Sequence, residues 1–132
     1  MRKKILLVFL SLLLFVGCTH QKQTITFVGE SNNWKARFIY SYEMSSNKPS
    51  ENSVNEELLL FYKGDSNPQN VKFTISSNLL SLNDEREMIQ RGEWVSCAKA
   101  GGKNVALLSK SDTLELVIEW NGGKEEILLS PQ

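Results

Sequence analysis

The sequence predicts an all-β protein, a single antiparallel β-sandwich of about seven strands. Three observations predict it. Short segments alternate apolar and polar residues with a period of two, as half-buried strands do. Clusters of Gly, Asn, Asp, Ser and Pro separate those segments. The chain has 132 residues, 41% of them hydrophobic, which allows one domain and one core.

The N-terminus is of another kind. Arg2, Lys3 and Lys4 precede the run from Ile5 to Val16, which is apolar except for Ser11, and Gly17 and Cys18 close it. A basic start, a short apolar stretch and a small residue before a cleavage point make a secretory signal peptide over residues 1–17. The run falls short of the roughly 20 apolar residues that a membrane-spanning helix needs. Phe15-Val16-Gly17-Cys18 resembles the bacterial lipobox, with Phe where Leu is usual. That resemblance implies a diacylglycerol on the Cys18 sulfur and Cys18 as the new N-terminus. The expected location is the cell membrane, lipid-anchored on its extracytoplasmic face. Residues 18–23 are polar and read as a tether, with His20 inside it; residues 24–132 form the β domain. Residues 1–17 hold three basic and no acidic residues, so residues 18–132 carry a net charge of −3. Such a surface has no attraction to anionic lipid or nucleic acid, so the acyl chains alone hold the protein to the membrane.

Within the domain, Thr24 to Val28 is short and β-prone. Trp34 to Tyr42 places Trp34, Ala36, Phe38, Tyr40 and Tyr42 on one face and Lys35, Arg37 and Ser41 on the other. A polar loop follows from Ser45 to Asn55. Glu57 to Tyr62 is a third strand with Leu58, Leu60 and Tyr62 on one face; Leu59 and Phe61 are apolar too, so both faces ask for cover. Residues 64–68 are a turn, and Val71, Phe73 and Ile75 define a fourth strand. Ser77 to Arg91 is ambiguous: Asn83 is placed to cap a short helix over 84–91, and a loop fits as well. Glu93 to Lys99 is a strand carrying Trp94, Gly101-Gly102 is a turn, and Val105 to Ser109 is a further strand.

The last hairpin joins Thr113–Trp120 to Lys124–Leu129 through Asn121-Gly122-Gly123. A two-residue turn would set Ile118 opposite Glu125 and bury a carboxylate. The register that sets Ile118 opposite Ile127 and Leu116 opposite Leu129 matches apolar residues and is the one expected. The outline is immunoglobulin-like, without a Cys…Trp…Cys signature.

Three segments resemble a group of small lipoproteins of Gram-positive bacilli. They are Phe27-Val28-Gly29-Glu30-Ser31-Asn32-Asn33-Trp34-Lys35, then Leu58 to Asp65 with Asn70-Val71-Lys72-Phe73, and Val117-Ile118-Glu119-Trp120-Asn121-Gly122-Gly123-Lys124-Glu125-Glu126. The resemblance implies a β-sandwich lipoprotein on a Gram-positive surface and carries no activity.

Chemistry is sparse. The single His lies on the tether, so a Ser–His or Cys–His nucleophile is not expected. Lipidation of Cys18 leaves Cys97 without an intrachain partner, as a small buried hydrophobe. Asp65-Ser66-Asn67 lacks the spacing of a calcium loop, and Gly101-Gly102-Lys103 opens no phosphate-binding helix. No catalytic, cofactor or metal residue is assigned. Trp34 is the candidate partner contact, since Trp is enriched in interface hot spots, but its place at the head of an alternating strand favours a core role, and Trp94 and Trp120 read the same way. The expected function is non-catalytic binding to an envelope protein or wall polymer. The alternative is a surface enzyme acting on wall glycans through carboxylates, with Glu119 and Glu126, or Asp84, Glu85 and Glu87, as candidates.

Overall fold

A computed structural model describes residues 20–45, 52–103 and 107–132. Residues 1–17, expected as a signal peptide, and Cys18 lie outside the described residues. Eight strands occur in chain order: β1 His20–Glu30, β2 Trp34–Ser45, β3 Ser53–Tyr62, β4 Gln69–Ser76, β5 Ser81–Met88, β6 Trp94–Lys103, β7 Leu114–Trp120 and β8 Gly123–Pro131. None of the described residues is helical. All pairings are antiparallel, in the order β5-β4-β7-β8-β1-β2-β3-β6. This is one eight-stranded sheet nearly closed into a barrel. The all-β antiparallel expectation holds. The seven-strand, immunoglobulin-like outline expected two separate sheets. Instead, β1 and β8 pair at Phe27↔Pro131 and Val28↔Ser130 and link two four-stranded halves, β1-β2-β3-β6 and β5-β4-β7-β8.

The inward face of each strand follows from the period-two pattern. Trp34, Ala36, Phe38 and Tyr40 of β2 meet Ile25 and Phe27 of β1, Leu58 and Leu60 of β3, and Leu114, Leu116 and Ile118 of β7 in one core. Burying a side chain such as Leu60 contributes about 1.5–3 kcal/mol, so this stripe is what drives closure.

The halves meet a second time at β5 and β6, by a different means. These strands do not share a backbone ladder. The β3–β6 register shifts between Leu58 and Leu59, so Cys97 is a bulge residue with no β3 partner. Its carbonyl accepts from Arg86 Nη2 at 2.7 Å and Nε at 3.0 Å, so a β5 side chain staples the seam. Cys97 itself is buried, as expected, and burial pushes its thiol up to about 11.

Several expectations change. Residues 20–23, expected as tether, extend β1 and pair with β2 from Ser45 to Tyr42. Tyr42 Oη donates to Gln23 Oε1 at 2.5 Å, which gives the polar stretch a strand partner. Ser81–Met88 is neither helix nor loop. It is an edge strand on β4, led in by a turn in which Ser77 N–H donates to the Leu80 carbonyl at 2.9 Å. The free edge of β4 overrides a weak capping signal, and charged residues suit an edge that must not recruit another chain. Gly101 and Gly102 are not a turn; they pair with Asn55 and Val54. The strand expected over 105–109 lies partly outside the described residues. Within it, Leu107–Ser109 is not strand, and buried Leu108 donates its N–H to Tyr40 Oη at 3.2 Å.

The β7–β8 register is the one rejected above. Ile118 lies opposite Glu125, Leu116 opposite Ile127 and Leu114 opposite Leu129. Apolar matching survives one step further from the turn. Only Gly123 of the turn triplet takes a positive φ, +153°. The supposed cost of burying Glu125 is removed by a distant partner, as described next.

Candidate binding face

The three segments quoted above converge at one end of the barrel. Ser31 to Asn33 turn between β1 and β2, with Ser31 N–H donating to the Trp34 carbonyl at 2.8 Å. Glu125 of β8 reaches this turn and accepts from the Asn33 N–H at 2.9 Å and from Asn33 Nδ2 at 2.7 Å. Lys63, just past β3, closes the other side. Its Nζ donates to Glu30 Oε1 at 2.6 Å and to the Ser31 carbonyl at 2.7 Å, and its N–H donates to the Asn33 carbonyl at 2.8 Å. Burial pushes the Glu125 carboxyl up, but hydrogen bonds from Ser31 and Asn33, aided by Lys63, bring it below its ordinary value. The hydrogen bond and charge of Lys63 lower Glu30 as well.

Beneath the turn, Trp34 packs against Tyr62 and Trp120, with ring centroids 4.7 and 5.5 Å away. Trp34 is 0% exposed. It is a core residue and is not placed to touch a partner, which corrects the partner-contact expectation. The Trp34 Nε1 atom is buried without a hydrogen-bond partner. Packing of this kind fixes the turn, so the motifs explain a structural knot.

The outer surface beside the knot differs in kind. Antiparallel register places Glu30, Lys35, Phe61 and Trp94 in one row across β1, β2, β3 and β6. The adjacent row is Val28, Arg37, Leu59 and Ser96. Residues opposite each other in a row share a face, and these face outward because Trp34, Ala36 and Leu60 face inward. Arg37 crosses the rows diagonally and lies 4.6 Å from the Trp94 ring centroid. Lys35 Nζ sits 5.5 Å from the Phe61 centroid, and Phe61 packs on Trp94 at 5.6 Å. Trp94 remains 37% exposed. A groove of about 320 Å³ runs here, lined by Val28, Glu30, Lys35, Arg37, Trp94 and Gln132.

The signal for this face was in the sequence. Phe61 and Leu59 are the apolar residues on what should be the solvent side of their strand, and Lys35 and Arg37 alternate with the Trp34 face. The sequence does not show that Trp94 lies one strand further along the same row.

The acidic candidates lie elsewhere. Glu119 and Glu126 are exposed, and Glu119 pairs with Lys124 at 3.7 Å. Asp84, Glu85 and Glu87 are exposed along β5. Among the described residues no group of three His, Cys, Asp or Glu side chains is placed to hold a metal ion. Compared with protein-family models, curated proteins and solved structures, the chain matches none of them.

Proposed function

We propose that this protein is a lipid-anchored, extracytoplasmic, non-catalytic binding module whose working surface is the outer face of β1-β2-β3-β6. The observation that carries the reading is the cation–aromatic ladder of Lys35, Phe61, Trp94 and Arg37. A partly exposed Trp held in place by a guanidinium is an expensive feature for a solvated sheet face and a useful one for a partner. The anchor is Cys18, and the small-lipoprotein resemblance agrees with it. The partner is an envelope component.

A photoreactive amino acid in place of Ser96, in the full chain in intact cells, tests the face. The control position is Glu126, on the outer face of the other half. Adducts at position 96 and none at 126 are expected; equal or absent adducts at 96 sink the reading. Metabolic labelling with palmitate tests the anchor. Label that survives Cys18→Ala would remove it.

A further inference from the structure

Resting on that reading, we infer that the face takes an anionic chain of sugar or polyol units. Its phosphate or carboxylate groups sit on Lys35 and Arg37, and its carbon skeleton lies against Trp94 and Phe61. Four observations lead there.

The first is unspent charge. Among the described residues, Lys35 and Arg37 form no ion pair within 4 Å and no hydrogen bond; Arg37 lies over Trp94, and Lys35 lies over Phe61 with a weak pull on Glu30 across the strand. The nearest carboxylate in their row, Glu30, is taken by Lys63 at 2.6 Å. A guanidinium stacked on a ring keeps its donor fork free in the ring plane, which suits an oxyanion.

The second is contrast with the rest of the molecule. Residues 18–132 carry a net charge of −3, so a densely charged polyanion is repelled by the whole while a sparse one is attracted to this spot.

The third is shape. The groove of about 320 Å³ is open and shallow, and β1, β2 and β3 are each paired on both sides. The open edge of this face is β6, where Arg86 of β5 already holds the Cys97 carbonyl, and the face has no deep pocket for a peptide's anchor side chain. It offers ring faces, whose negative quadrupole attracts the C–H groups of a saturated ring.

The fourth is position. β1 runs from His20, next to the lipidated end, to Glu30 at the groove. Its eleven residues put about 30 Å between the anchored end and the site. With β1 upright on its anchor, the site meets a chain standing off the membrane, and the anionic-vesicle arm of the test separates this from a headgroup.

The test uses the full chain in a neutral detergent and fluorescently labelled polymers. Poly(glycerol phosphate), polygalacturonate or both should bind, with affinity falling as salt rises. Which of the two binds separates phosphate from carboxylate. Arg37→Gln and Trp94→Ala should each weaken that binding roughly tenfold, with the circular dichroism spectrum unchanged. Lys35→Gln, a milder surface change, is the check if Trp94→Ala does not fold. Lys72→Gln, on the other half, should bind as the parent does. The inference is overturned if neither polymer binds, or if the variants bind them as well as the parent. It is also overturned if dextran, polyglutamate or anionic vesicles bind as tightly. Adducts at position 96 alongside any of these results would leave the binding reading standing and remove only the ligand class.

Discussion

The two halves of the barrel carry outer faces of opposite character. Across β5-β4-β7-β8, register sets Glu85, Lys72, Glu119 and Lys124 in one row of alternating sign. Each charge there faces its opposite, and the row is neutral within itself. Across β6-β3-β2-β1 the equivalent row is Trp94, Phe61, Lys35 and Glu30, with Arg37 folded in from the next row. Its cations have rings for partners. One sheet therefore presents a surface of alternating charge, in which Glu119 and Lys124 pair at 3.7 Å, and a surface whose cations lie on rings, and the second is the one proposed to take a ligand.

That contrast depends on both halves staying in place, and the largest effects come from breaking the joins. At the β1–β8 join a Cβ on Gly29 would lie 2.5 Å from Ile127 Cγ2 and 2.6 Å from the Leu128 carbonyl oxygen. A backbone carbonyl cannot swing aside. Gly29→Ala should cost about 3 kcal/mol by urea denaturation, the upper part of the range for overpacking. A cost under about 0.5 kcal/mol, typical of a free surface, would show that the join is slack. At the β5–β6 join, Arg86→Met removes both bonds to the Cys97 carbonyl. The expected cost is about 1–2 kcal/mol. Amide exchange should quicken in residues 81–88 and 94–103 and stay unchanged in β1 and β2. Uniform quickening would mean that Arg86 holds the whole fold and not its seam.

The alternation that sorts these faces was legible in the sequence where strands are two-sided. Trp34 to Tyr42 and Val71 to Ile75 read correctly because inward residues are apolar and outward ones polar. The readings failed where a partner far along the chain supplies what a local rule says is missing. Glu125 looked too costly to bury because Asn33, 92 positions away, was not in view. Asn83 looked like a helix cap because the open edge of β4 is a tertiary fact. Trp34 and Trp94 look alike in sequence. Their different fates follow from which strand lies over them, and no period-two count encodes that. The three motif segments marked the knot, and the binding face came from the residues alternating with them.

Two carboxylates of the inner side sharpen the picture with opposite signs. Glu125 is held below its ordinary value of 4.5 by donors that outweigh its burial. Its contribution is complete above that value and is lost as pH falls through the folded-state pKa. Glu125→Gln should cost about 1 kcal/mol near neutrality, and the difference from the parent should vanish in acid. Glu56 occupies the inward side of β3 between Val54 and Leu58, opposite Tyr40. Burial pushes its carboxyl above 4.5. Its charged form is therefore a burden at neutral pH, relieved as pH falls through that raised value. Glu56→Gln should raise the melting temperature at pH 7 and not in acid. Two variants shifting in the same direction at pH 7 would show that one of these environments is wrongly understood.

The smallest effects test the contrast between the faces most directly. Lys72→Gln leaves Glu85 and Glu119 on either side of a neutral residue, at a cost below about 1 kcal/mol for an exposed row. Screening at 1 M salt, with a Debye length of about 3 Å, should erase it. Lys35→Gln loses an exposed cation–ring contact worth about 0.5–1 kcal/mol, so in stability the two substitutions look alike. They part in binding. Removing Lys72 takes a cation from a ring-free row on the other half of the sheet. Removing Lys35 takes away a cation that lies over Phe61 beside the groove, so adducts at position 96 should fall for Lys35→Gln and persist for Lys72→Gln. If both variants keep their adducts, the charge on the β1-β2-β3-β6 face is incidental, and the rings alone make the surface.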